Sequence, residues 1–160
     1  MNQGLTGGLS NKMFWSEYKI DNKIVDKILQ IIKKYNGSNV SENTHTYKGF
    51  QTRNIIKLFN FNLLKKIIPV NEMYKNVFHI HYIKYDKGGY QGEHTHPPDD
   101  YSFILYLNDA DGYTYLKEPV NKKFIPEKGK IIVFDAKILH YAVPSYEKKE
   151  VLVGAVKLTK

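Results

Sequence analysis

A chain of 160 residues with 42% hydrophobic and 25% charged residues has the balance of one globular domain, long enough to bury a core of its own. It contains no cysteine, which excludes disulfides, thiolate metal sites and a cysteine nucleophile, so any metal must be held by imidazole and carboxylate. The net charge of +8 comes almost wholly from lysine, Arg53 being the only arginine. Base-reading proteins use bidentate arginine, so nucleic acid is not an expected partner. The charge is read as a solvated surface, with attraction of an acidic substrate or partner as the alternative.

The opening MNQGLTGGLSNK lacks the basic-then-apolar layout of a signal peptide, and residues 1–20 are expected as a leader or ordered loop. No apolar run approaches the ~20 residues of a membrane span. A soluble, cytoplasmic protein with no membrane partner is the expectation.

Residues 21–70 are expected to supply helical support. Ile24, Val25, Ile28, Leu29, Ile31, Ile32 and Tyr35 form a helical stripe. Asp21 can cap its start and Asn36-Gly37 can stop it. A second helix is predicted over Asn54 to Ile68, ended by Pro69. Both are expected to pack outside a sheet.

From Val77 the texture changes to short alternating runs. Strands are predicted at Val77 to Tyr85, Ser102 to Asn108, Tyr113 to Lys117, Lys130 to Asp135, Leu139 to Val143 and Val151 to Leu158, with turns at Asp86 to Gly89 and Asp109 to Gly112. Such density over 77–158, behind a helical N-terminal third, predicts a mainly β core, a small barrel or double sheet.

Within it lies GEHTHPPDD. His94 and His96, two residues apart, point to one face if they share a strand. His140, 44 residues on, can add a third imidazole from a distant strand. Three ligands on one side of a metal leave open positions for substrate or oxygen. A second pair, His79-Ile80-His81, is expected to be half-buried and hydrogen-bonded, with pocket lining as the alternative. His45 is read as loop, Asp135 as a turn residue or a partner of His140, and Trp15 as a core anchor or a cover for the site.

Taken together, YDKGGYQGEHTH, ILYLNDADGYTYL and IPEKGKIIVFDAKILHYAVPSYEKKEVLVGAV resemble, in order and spacing, the motifs of prolyl-4-hydroxylase-like 2-oxoglutarate- and Fe(II)-dependent dioxygenases. The resemblance spans residues 77–158. It implies a double-stranded β-helix, or jelly roll, and a single domain over residues 1–160. It also implies hydroxylation of a substrate C–H bond using O2, Fe(II) and 2-oxoglutarate, with ascorbate as an accessory. Some bacterial and phage sequences of this type carry a similar H-x-H-P, which agrees with the AT-rich codon bias suggested by abundant Lys, Asn, Ile and Tyr.

Carried over by position, His94 and His140 match the metal histidines, and His96 stands where the family has a carboxylate. Asp99 or Asp100 is the alternative third ligand. For 2-oxoglutarate the resemblance assigns Lys149, with Lys148 as alternative because Glu150 cannot serve, together with Tyr106, Tyr85 and the wall residue Ile104. The substrate is a peptide or protein, prolyl by the family's default, or a small molecule. Two other readings stay open. A cupin-type three-histidine metalloprotein without 2-oxoglutarate fits His96 well, and a metal-free jelly-roll binding module would use the tyrosines.

Overall fold

The computed structural model describes residues 2–6, 13–35 and 46–158. Its elements are β1 (Asn2–Thr6), β2 (Met13–Lys19), α1 (Asn22–Lys34), β3 (Thr46–Gln51), α2 (Phe61–Ile67), β4 (Val77–His94), β5 (Tyr101–Tyr106), β6 (Thr114–Leu116), β7 (Lys122–Phe124), β8 (Lys130–Asp135), β9 (His140–Ala142) and β10 (Lys149–Val156). The strands pair in the order β1-β2-β8-β5-β10-β4-β9-β6-β7, with β3 also on β4.

The long strand β4 makes this one curled sheet. Its first part pairs with β10 from His79 to Tyr85, its middle with β3, and its end with β9 at Gln91 and His94. The chain thus passes from a large sheet (β1, β2, β8, β5, β10, β3) to a small one (β9, β6, β7) without a break. The result is the expected jelly roll.

The large sheet is apolar on both faces, and residue parity sorts its side chains into two cores. Ile80, Tyr82, Phe103, Leu105, Ile131, Val133 and Leu152 face outward, against Val25 and Ile28 of α1 and Leu63, Leu64 and Ile67 of α2. Ile83, Tyr85, Ile104, Tyr106, Ile132, Phe134 and Val151 face inward, into the barrel. Gly154 is required on the outward face, because a Cβ there would lie 2.2 Å from the ring of Phe103.

Helix α1 starts as predicted, with the Asp21 side chain accepting from the Lys23 amide at 2.9 Å. Its proposed stop, Asn36-Gly37, and His45 lie outside the described residues.

Several expectations are corrected. The N-terminal leader or loop is strand where described: β1 pairs with β2, and β2 with β8. The helical-support region contains strand β3. The second helix shrinks to Phe61–Ile67, preceded by a tight turn at Ile56–Leu58. The amides of Ile56 and Ile80 donate to Asn54 Oδ1, and the Leu63 amide donates to Asn60 Oδ1 at 2.9 Å, a helix cap. Two side chains binding local backbone outcompete one continuous helix. Asp86 to Gly89 is not a reversal but a bulge within β4, since Tyr85 pairs with Gly49 and Tyr90 with Tyr47. Strand β7 was not anticipated.

Candidate metal centre and its pocket

Strand register assembles the centre. His94 closes β4 and His140 opens β9, and the two are direct cross-strand partners. Their rings lie 4.3 Å apart between centroids. His96 is not on the strand, as its spacing suggested, but in the loop just beyond it. That loop is stapled down: the His96 amide donates to the Ala136 carbonyl at 3.0 Å, and Ala136 in turn donates to Asp100 at 3.0 Å. His96 thereby reaches the same point, 4.6 Å from the His94 ring and 5.0 Å from that of His140. One nitrogen from each ring falls within 4.8 Å of the other two, and no other group of three or more potential metal ligands forms among the described residues.

Tautomers follow from hydrogen bonds. His94 Nδ1 lies 2.7 Å from the Gly92 carbonyl and His140 Nδ1 3.0 Å from that of Ile138. A carbonyl can only accept, so each Nδ1 carries a proton and each ring turns its Nε2 to the cluster, as a metal ligand would. His96 Nε2 comes within 3.2 Å of His140 Nε2. The three rings converge in a largely buried place, with His94 7% and His140 2% exposed, an arrangement that suits a cation between them. The donor set fits a divalent metal on one side, with the cavity on the other.

The aspartates do not join. Asp100 accepts from the Leu158 amide at 2.7 Å. Asp99 lines the cavity, and burial pushes its carboxyl pKa up. Asp135 accepts from the Lys137 amide at 2.9 Å, so it is a turn residue. Trp15 stands edge-on to Phe124 at 6.0 Å.

The cavity is about 330 Å³ and is lined by the three histidines, by Ile83, Ile104, Phe134 and Val153, and by a polar set including Gln51, His79, His81, Gln91, Asp99 and Ser102. A small void of about 10 Å³ adjoins it, sharing Gln91, Ile104, His140 and Val153, and ends on Lys149, Tyr85 and Thr114.

Lys149 is the unusual residue of this void. Pairing with Tyr85 sets its side chain on the inward face, 1% exposed, whereas its neighbour Lys148 is exposed. Its Nζ donates to the Gly112 carbonyl at 2.9 Å and sits 4.5 Å from the centre of the Tyr85 ring. Burial pushes its pKa down from 10.5 to about 8, opposed by Asp111. Asp111 also takes the Ser145 hydroxyl and the amides of Tyr146 and Glu147, which closes that loop beside Gly112. A Cβ at Gly112 would meet Ser145 at 2.6 Å. A buried ammonium with one carbonyl acceptor is short of partners, and an anion would supply them.

Tyr106 is fully buried and donates to Thr114 Oγ1 at 2.5 Å. Burial pushes the hydroxyl pKa of both Tyr85 and Tyr106 up, which keeps them neutral donors. Thr114, Gln51 and Gln91 escaped the sequence reading. For Thr114 the signal was present, as the threonine of the GYTYL hairpin.

Fold and site together define a jelly-roll protein with three imidazoles at a cavity and a buried lysine behind them. No protein-family model and no curated protein matches the sequence. Solved structures do resemble the fold. A viral collagen prolyl hydroxylase from Paramecium bursaria Chlorella virus-1, in complex with 2-oxoglutarate, is 17% identical, with TM-score 0.67 over 91% of this chain and 96% of that one. A Trichoplax adhaerens prolyl hydroxylase, bound to a hypoxia-inducible-factor peptide, is 12% identical, with TM-score 0.68 over 89% and 83%. HygX of Streptomyces hygroscopicus, with nickel and 2-oxoglutarate bound, is 7% identical, with TM-score 0.62 over 92% and 83%. The likeness is one of fold.

Proposed function

We propose that this chain, as a single domain, is an Fe(II)- and 2-oxoglutarate-dependent oxygenase. In this reading His94, His96 and His140 hold the metal and Lys149 docks the cosubstrate. One observation carries it: a buried ammonium lies behind a three-imidazole cluster, in a void that shares His140 and Ile104 with the main cavity. Fold neighbours solved with 2-oxoglutarate, one of them with nickel too, support it.

When bound, the metal and cosubstrate would supply O2-dependent oxidation of a substrate C–H bond, with 2-oxoglutarate converted to succinate and carbon dioxide. The chain's own residues have separable tasks. Lys149 presents a positive charge to the far carboxylate, and the Thr114 hydroxyl, oriented by Tyr106, lies beside it. Ile104, Val151 and Val153 line the passage and keep water from the docked anion. His96 adds a neutral ligand where a carboxylate would add a negative charge, so the metal keeps its full charge toward the dianionic cosubstrate.

The cavity suits a small molecule or a single residue of a peptide. Two fold neighbours are prolyl hydroxylases, which makes a prolyl residue one candidate. A cupin-type protein without 2-oxoglutarate is the second reading, favoured by the three-histidine set.

Anaerobic Fe(II) titration with and without 2-oxoglutarate separates the two. A visible metal-to-ligand charge-transfer band that needs both components is the expected result. Metal uptake with no band would move the protein to the second reading, and no metal uptake would end both.

A further inference from the structure

The oxygenase reading leaves the second histidine pair without a task. His79 and His81 face inward on β4, opposite Ala155 and Val153 of β10. Both line the same cavity as the three-imidazole cluster. Their rings stand perpendicular, 4.0 Å apart between centroids.

A directional chain runs through them. His81 Nδ1 lies 2.7 Å from the Thr52 carbonyl, and His81 Nε2 lies 3.1 Å from His79 Nδ1. The carbonyl accepts, so His81 carries its proton on Nδ1 and presents a lone pair at Nε2. His79 must then donate from Nδ1, which leaves its own Nε2 as an acceptor. Burial, aided for His79 by its neighbour, lowers both pKa values and keeps the pair neutral. No donor among the described residues meets His79 Nε2. The facing nitrogens of the pair share a proton, and among the described residues no third ligand joins them to make a second metal centre.

The rest of the cavity gives this acceptor a place in recognition. Along the inward face, Lys149 and Tyr85 form one rung, Val151 and Ile83 the next, Val153 and His81 the third, and Ala155 and His79 the last. Polar groups thus sit at both ends of an apolar belt. The end at Lys149 belongs to the cosubstrate in the reading above. The His79 end also has Ser102, which pairs with Ala155, and the Asp99 carboxylate in the same cavity.

We propose that His79, held as a hydrogen-bond acceptor by His81, is a specificity-determining residue that receives an O–H or N–H donor on the substrate. The substrate class is therefore a hydroxyl- or amine-bearing molecule or side chain, with its oxidisable C–H against the metal side. A prolyl residue within a peptide, which has neither donor on its ring, does not use this acceptor. The inference rests on the oxygenase reading for what the cavity does, but not for the tautomers.

The test has two parts. In the unloaded chain, nitrogen-15 NMR should find His79 neutral with its proton on Nδ1, a form less common in free histidine. In the Zn(II)- and 2-oxoglutarate-loaded chain, cyclohexanol, cyclohexylamine and methoxycyclohexane are compared by saturation-transfer NMR. At least one of the two donor-bearing probes should bind about tenfold tighter than the ether, a difference of about 1.4 kcal/mol. His79→Phe should erase that preference, and His79→Gln, which keeps an acceptor, should restore part of it. A proton on His79 Nε2, equal affinities, no binding by any probe, or a preference that survives in His79→Phe would overturn the proposal. So would an amine-only preference that survives in His79→Phe and is lost in Asp99→Asn. If metal and 2-oxoglutarate do not bind, the oxygenase reading falls, while the tautomer measurement still decides His79.

Discussion

The same three-residue histidine pattern occurs once within strand β4 and once across its end, with two outcomes. His79 and His81 lie within the strand, share a face as the two-residue period demands, and hydrogen-bond to each other. His94 and His96 straddle the strand's end, and a loop stapled to Ala136, rather than the strand period, brings them together. The first pair faces alanine and valine across the sheet, whereas the second faces His140. Both pairs use a backbone carbonyl to fix a tautomer, so a pinned imidazole does not by itself mark a ligand. What separates them is the cross-strand partner. Spacing makes a pair, and register makes a site.

The largest effect should come from removing that partner. His140→Ala is expected to weaken Fe(II) or Ni(II) binding by more than about 100-fold, beyond the 10–100-fold typical of losing an outer-shell contact. His79→Ala should leave metal affinity within about twofold. Calorimetric titration of both variants checks this, and equal losses would mean that the two pairs are not distinct in kind.

Lys149 sharpens the contrast from the far end of the same face. Lys149→Met should weaken 2-oxoglutarate binding by about 100-fold, the scale of a lost buried charge pair, with metal affinity unchanged. The same change should stabilise the unloaded protein. A pKa held down from 10.5 to about 8 costs the folded state roughly 3 kcal/mol at neutral pH. Between pH 8 and 10.5 the unfolded chain binds more protons at this residue, so its penalty fades as pH rises through that window. In the wild type, affinity for 2-oxoglutarate should fall as pH rises above about 8, where the ammonium is lost. A Lys149→Met protein melting below wild type, with undiminished cosubstrate affinity, would remove Lys149 from the site.

Some of this was legible in the sequence. Asp21 and the apolar stripe fixed the start of α1, and Lys130–Asp135 reads as strand residue for residue. The spacing of His94, His96 and His140 was enough to nominate the cluster. What failed depended on tertiary partners. Asn54 and Asn60 divide an apolar run that looks like one helix: Asn60 does so by a local cap on Leu63, but Asn54 also binds the Ile80 amide, a distant partner that periodicity does not encode. TYKGFQ hid strand β3 because Lys48 and Gly49 interrupt its alternation and its partner is the bulged part of β4. Thr114 is an ordinary hairpin threonine until the Tyr106 hydroxyl is seen to point at it.

A smaller effect is expected within the pair proposed to hold the metal. His96 sits on a loop and is more exposed than His94 or His140, both of which are buried at strand ends. His96→Ala should therefore cost metal affinity only about tenfold, near 1.4 kcal/mol, against the larger loss for His140→Ala. A loss as large as that of His140→Ala would show that the loop is as rigid a support as the strands.

The smallest effect separates the two pairs by proton rather than by metal. Burial lowers the pKa of His79 and His81 below the usual 6.5, so the folded protein keeps them neutral where the unfolded chain takes up protons. The unfolded state then binds more protons than the folded one from about pH 6.5 downward, and acid withdraws stability that is fully present above that value. Carboxylates add their own acid dependence, so the readout is a difference: the fall in melting temperature between pH 7 and pH 5 should be smaller in His79→Phe than in wild type. Stripping the protein with a metal chelator should not change that difference, because His79 and His81 are expected to hold a proton between their nitrogens and not an ion. A difference that vanishes on chelation would give His79 and His81 a metal, and the contrast within β4 would reduce to two sites of one kind.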